Sequence, residues 1–197
     1  MTTKILNIHG YQGKPHNTAY EALVKLGCDV ISLKLNYDGN SPDNIFDELK
    51  LKCIENKPNI IVGTSLGGFF AALLAVEMGL PVFLVNPCLM PFLHLPRLGY
   101  THSHELKPYM RLFPKITELE SEKVCTIVGL QDEVIDTLDF TKALLYNSRY
   151  VEIPQGKHSG STLPLAEFFA QTLEYVTFKL PQKELAETVF PMDFEED

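Results

Sequence analysis

A serine hydroxyl is a poor nucleophile at neutral pH. It needs a base to take its proton and a carboxylate to fix that base, so a chain built for acyl transfer must supply three residues in a workable order. The segment Gly63-Thr-Ser65-Leu-Gly67 meets the first requirement. It fits G-x-S-x-G, in which the serine stands on a sharp turn between a strand and a helix and glycines two positions to either side make room for the bend. The surroundings suit that reading. The turn follows the apolar run from Ile60 to Val62 and precedes Leu66 to Met78, an almost wholly apolar stretch expected to form a helix buried on most sides.

The base and the acid must then come from later in the chain. Of the six histidines, His158 is the one that lies beyond the apolar run from Val124 to Val128, in the loop Gln155-Gly-Lys-His158-Ser-Gly. Gly156 and Gly160 give that loop freedom to swing an imidazole over the sheet. Asp132 is the first carboxylate after Val124 to Val128 and is favoured as the acid, with Glu133 as its rival. Asp136 is expected to cap the next helix, with Asp139 in its first turn. The order Ser, Asp, His is that of the α/β hydrolases.

Acyl transfer also needs donors for the oxyanion. The N–H of Leu66, at the helix start, is one candidate, and the loop His9-Gly10-Tyr11 supplies the other, assigned to Tyr11. His9 reads as a structural hydrogen-bonding residue. His94, His102 and His104 invite a metal reading, but no cysteine or carboxylate close by in sequence completes a ligand set. They are taken as solvent-facing or substrate-lining, and no metal or other cofactor is expected.

The elements that would position these residues follow from an alternation of short apolar runs with amphipathic segments, the pattern of a parallel sheet covered by helices. Strands are expected at Lys4 to His9, Val30 to Leu35, Ile60 to Val62, Val82 to Val85, Val124 to Val128 and Arg149 to Ile153. Thr18-Ala-Tyr-Glu21 reads as a capping box opening a helix that Gly27 closes. Ser41 and Pro42 read as the N-cap and first residue of a helix ending before Pro58. Further helices are expected from Asp136 to Tyr146 and from Leu163 to Phe178. The fold class is therefore α/β: a single-domain α/β hydrolase over residues 1–180, with a mainly parallel sheet of about six strands. Residues 87–121, with five prolines and three histidines, read as a short lid insertion, and residues 181–197 as an acidic tail.

Composition bounds the partners. A net charge of −8 and a pI near 5.2, without clustered Lys or Arg, argue against a nucleic-acid surface. The four cysteines are scattered without C-x-x-C spacing and read as buried reduced thiols. No run is long enough for a signal peptide or a bilayer span, so a cytoplasmic protein with no membrane partner is expected. The expected partner is a small-molecule ester substrate, with a homodimer as a further possibility.

Taken together, His9-Gly-Tyr, Gly-Thr-Ser65-Leu-Gly-Gly-Phe, Val85-Asn-Pro, Gln-Asp132-Glu-Val-Ile-Asp and Lys-His158 resemble the YqiA-type small esterases, from about Lys4 to Tyr175. The resemblance implies a single-domain α/β hydrolase lacking the two leading strands of larger members, carboxylesterase activity, no cofactor, and roles for Ser65, Asp132 and His158. The Tyr11 loop, the histidine-bearing insertion and the acidic tail depart from it. The leading functional reading is a serine esterase. A thioesterase or amidase would use the same three residues, and a hydrolase-like binding module would use none of them.

Overall fold

The computed structural model describes residues 2–102 and 106–180. The expected acidic tail and His104 lie outside them. Among the described residues the strands are β1 (Lys4–Ile8), β2 (Asp29–Ser32), β3 (Ile60–Thr64), β4 (Val82–Val85), β5 (Val124–Gly129) and β6 (Arg149–Ile153). They form one sheet in the order β2-β1-β3-β4-β5-β6, with every neighbouring pair parallel. The expected α/β class with about six parallel strands is the fold observed. The central strands are apolar along their whole length because helices cover both faces.

The helices are α1 (Thr18–Lys25), α2 (Pro42–Asn56), α3 (Leu66–Met78), α4 (Pro91–His94), α5 (Leu106–Leu112), α6 (Leu138–Leu144) and α7 (Leu165–Glu174), with a π-helical turn at Tyr175–Lys179. On one face Ala19 and Leu23 of α1 and Phe168 and Phe169 of α7 pack over Ile5, Val62, Phe83 and Ile127. On the other, Leu6, Ile61 and Leu84 meet α2 and α3 through Ile45, Leu49, Phe70 and Leu73. Helix α3 is buried over its first ten residues, Leu66 to Ala75, which is why its sequence shows almost no polar face.

Two helix starts differ from expectation. Helix α1 is capped by Asn17 rather than Thr18: the Asn17 amide oxygen accepts from Tyr20 N at 2.9 Å and from Asn7 Nδ2 at 3.3 Å. The bond to Tyr20 N is the cap itself, and the bond from Asn7 holds Asn17 in the capping position, which makes Thr18 the first helical residue. Helix α6 begins at Leu138 after Thr137, and Asp136 caps nothing. Its carboxylate turns instead to Arg97 and to His94 Nε2, because charge-assisted bonds outweigh a cap. Ser41 caps α2 at Asn44 N, as its sequence predicts.

The insertion is more ordered than its weak periodicity predicts. Its described part holds α4, α5 and 3-10 turns at Leu95–Leu98 and Phe113–Glu118. Leu95, Tyr109 and Ile116 are buried in the core beside α3. His94, expected to face solvent or substrate, is buried, with Nδ1 3.1 Å from Met90 O. The short helices hid this packing, since one or two turns are too few to display a period.

Glu77 of α3 is held by Lys115 of the insertion and Lys50 of α2. Hydrogen bonds from Lys115 first and Lys50 second lower its pKa from about 4.5 to about 2. A depressed carboxylate pKa stabilises the fold above the unfolded value, and that contribution is lost as pH falls through the folded value. The groups are partly exposed, so Glu77→Gln is expected to cost at most about 1 kcal/mol at pH 7. The gap between variant and wild type in urea midpoint should close between pH 4.5 and 2. A gap of constant size over that interval would show that the lysines do not act through the carboxylate.

Candidate active site

The parallel register aligns the strand ends. Ile8 pairs with Gly63, Thr64 with Val85, Val85 with Ile127 and Gly129 with Ile153, so the loops after β1, β3, β4, β5 and β6 emerge at one edge. Between β1 and β3 the strand order reverses direction. Ligand crevices in open α/β sheets form at such a switch point, outside the carboxyl ends of the strands.

Ser65 stands there, between β3 and α3, at φ 52° and ψ −123°, a conformation non-glycine residues rarely adopt. Its backbone is fixed from both sides: Ser65 N donates to Val85 O at 3.0 Å, and Cys88 N donates to Ser65 O at 3.0 Å. The flanking glycines are required by close approach. A Cβ on Gly67 would come within 2.2 Å of Ile8 O, and one on Gly63 within 2.4 Å of Gly67 O. Gly10 likewise lies against the serine, where a Cβ would come within 2.8 Å of Ser65 Cβ.

His158 Nε2 lies 3.0 Å from Ser65 Oγ, and His158 Nδ1 lies 2.8 Å from Asp132 Oδ2. In the neutral ring Nδ1–H donates to Asp132 and leaves Nε2 free to accept from the serine. The Asp132 side chain is 0% exposed, and its Oδ1 also accepts from Val134 N and Ile135 N, both at 2.8 Å. These donors orient the carboxylate. Its rival Glu133 takes a different position, accepting from His158 N at 3.2 Å, and its pKa is held down mainly by backbone hydrogen bonds. Structure thus brings Ser65, His158 and Asp132 into one hydrogen-bonded row and keeps Asp136 and His94 out of it.

His9 Nε2 accepts from Leu35 N at 3.0 Å, so the ring's proton sits on Nδ1 and donates to Gly10 O at 2.8 Å. Burial lowers its pKa, which matches a neutral ring. It shapes the turn that carries Tyr11. The Tyr11 hydroxyl donates to Asp38 Oδ1 at 2.8 Å, and its ring meets Tyr37 and Tyr100 edge-on. Among the described residues, neither Tyr11 N nor Leu66 N donates to a backbone acceptor outside the regular elements. Cys88 beside the serine is no rival nucleophile, because burial pushes its thiol up to about 12.

A cleft of about 390 Å³ opens beside Ser65 and His158. Its walls come from the loop after β1 and the start of α1, with Lys14, His16, Asn17 and Glu21 along them, and from Ser159 and Gly160. The insertion, expected to line this space, contributes no wall residue to it. Sequence reasoning gave no role to one further residue, Asn86, whose buried side chain bonds to the loops after β5 and β6; its signals were its place directly after a buried strand and the Val85-Asn-Pro segment of the family resemblance.

Six parallel strands with a strained serine turn after the third make this an α/β-hydrolase fold, and solved structures agree. One of LipS and LipT, two metagenome-derived lipolytic enzymes, is similar with a TM-score of 0.69 at 13% identity, covering 88% of this chain and 93% of that one. The esterase domain of a Rhodothermus marinus protein is similar with a TM-score of 0.64 at 17% identity, covering 87% and 84%. A thioesterase domain from the curacin biosynthetic pathway gives 0.58 at 13% identity, covering 87% and 91%. The chain belongs to the uncharacterised protein family UPF0227, the YqiA family, whose model matches residues 4–162. No curated protein sequence matches it. Among the described residues no helix is long and apolar enough to cross a membrane.

Proposed function

We propose that this chain is a serine esterase that hydrolyses small carboxylic esters through an acyl-enzyme on Ser65. The observation that carries the reading is the row Asp132, His158, Ser65 on a strained turn at the mouth of a cleft. Ser65 Oγ attacks the ester carbonyl carbon while His158 Nε2 takes its proton, and Asp132 stabilises the imidazolium that forms. The carbonyl oxygen, now an anion, is held by the N–H groups of Leu66 and Tyr11. As the intermediate collapses, His158 returns the proton to the departing alcohol. Water then repeats the sequence on the acyl-enzyme, releasing the acid and restoring Ser65. No cofactor enters any step. The four free cysteines fit a reducing compartment, so the cytoplasm is the proposed location.

The cleft supports a small-substrate reading. At about 390 Å³ it lies near the lower end of small-molecule sites, and polar side chains stand along it. Each methylene buried in an apolar trough contributes about 0.8 kcal/mol, so a lipase gains efficiency steadily along an acyl series. Here kcat/KM for p-nitrophenyl esters below any micelle-forming concentration is expected to peak at short acyl chains. A steady rise to palmitate would replace this reading with a lipase. The same row would attack a thioester, and one fold relative is a thioesterase domain, so an acyl-thioester of matched chain length belongs in the series. A higher kcat/KM for the thioester would reassign the leaving group.

A further inference from the structure

The end of β4 contributes no side chain to the row, yet it touches all three loops that carry it. Ser65 N donates to Val85 O and Cys88 N to Ser65 O, so the segment from Val85 to Cys88 brackets the serine. Between them stands Asn86, fully buried, at φ 42°, a left-handed conformation that asparagine tolerates better than most residues. Asn86 Nδ2 donates to Lys157 O at 2.8 Å and to His158 O at 2.9 Å. Its Oδ1 accepts from Gly129 N at 2.8 Å, where β5 ends and the Asp132 loop begins. Its own N–H donates to Ile127 O at 2.9 Å.

Resting on the serine-esterase reading, we propose that Asn86 is a positioning residue, whose amide ties the His158 loop to the root of the Asp132 loop and so sets the distance from His158 Nε2 to Ser65 Oγ. The chemistry explains the residue type. The two carbonyls of Lys157 and His158 need donors and Gly129 N needs an acceptor, and a primary amide supplies two N–H groups and one oxygen in one plane. Aspartate keeps the shape, the positive φ and the acceptor for Gly129, but loses both donors and turns an oxygen toward two carbonyl oxygens. Without the tie, the loop keeps Glu133 at His158 N, Thr162 at Lys157 N and O, and Gln131 N at Gly156 O, but His158 O loses its donor.

Misplacement of a catalytic group by about 1 Å costs on the order of 10²-fold in rate. Asn86→Asp is therefore expected to lower kcat for p-nitrophenyl acetate by roughly 10- to 100-fold, with KM changing less than kcat, because the cleft walls from the loop after β1 and the start of α1 are untouched. The loss should shrink below about 3-fold when the change is made on an Asp132→Asn background, since the histidine is already misdirected there. Labelling of Ser65 by a fluorophosphonate should slow in parallel, with rates referred to the folded fraction measured by near-UV circular dichroism. Asn86→Gly, which accepts the positive φ, serves as the second variant. Labelling at the wild-type rate in a folded variant, or a full loss retained on the Asp132→Asn background, would overturn the assignment while leaving the serine reading intact. Failure of both variants to fold would also overturn it, making the amide a support of the fold alone. Absence of labelling in wild type would instead defeat the serine reading itself.

Discussion

Ser65→Ala is expected to abolish covalent labelling by a fluorophosphonate and to lower ester turnover by about 10⁴-fold or more, with the thermal midpoint within a few degrees of wild type. The reagent tests activation, because it reacts quickly only with a hydroxyl that has a base beside it and donors facing the phosphoryl oxygen. On the proposed reading His158 Nε2, 3.0 Å from Ser65 Oγ, is that base. The variant loses one oxygen and nothing that holds the turn, since the bonds that fix residue 65 are made by its backbone to Val85 and Cys88. Alanine meets the same strain as serine at φ 52°. Residual turnover from the oxyanion donors sets the floor. Labelling that persists in the variant would move the nucleophile elsewhere, and loss of the fold would leave the turn, not the hydroxyl, as the essential feature.

The second large effect separates two aspartates four residues apart. Asp132→Asn is expected to lower kcat by roughly 10³- to 10⁴-fold, because an amide can donate to the ring nitrogen and hold the imidazole in the wrong tautomer. Asp136→Asn should keep kcat within about 3-fold. The difference is geometric. The Asp132 side chain is buried and bonded to His158 Nδ1, whereas the Asp136 carboxylate bonds to Arg97 and His94. Arg97 chiefly holds the Asp136 carboxyl below its ordinary range, so the partner disturbed by Asp136→Asn is the insertion, and proteolysis near α4 should quicken. Steady-state kinetics on both variants decides the matter. The reverse ranking would give the acid role to Asp136.

The strands and the serine turn were legible because their signals are local: apolar runs of four to six residues, and glycines two positions either side of Ser65 with a buried helix behind. Those glycines turn out to be demanded by backbone oxygens of β1 and α3, a packing fact that the motif encodes without naming the neighbour. What escaped the sequence depends on partners far along the chain. Thr18 has a sound local capping pattern, yet Asn17 caps the helix, its side chain held by Asn7 and by Thr64, 47 residues on. Asp136 looks like a cap until Arg97 and His94 arrive from an insertion 39 and 42 residues away. His94 reads as polar and external, and only the folded insertion buries it. The Val85-Asn-Pro motif marks Asn86 without giving it a role, since its three tertiary partners lie at residues 129, 157 and 158.

The strand order carries one consequence for the timing of assembly. Ser65 and His158 are separated by 93 residues, and the histidine follows β6, the last strand and an edge of the sheet. A chain emerging from the ribosome in order completes the serine turn early, but that hydroxyl has no base until β6 has docked on β5. On the esterase reading proposed above, the nascent chain is thus chemically silent through most of its synthesis, and the onset of ester cleavage would mark the docking of β6.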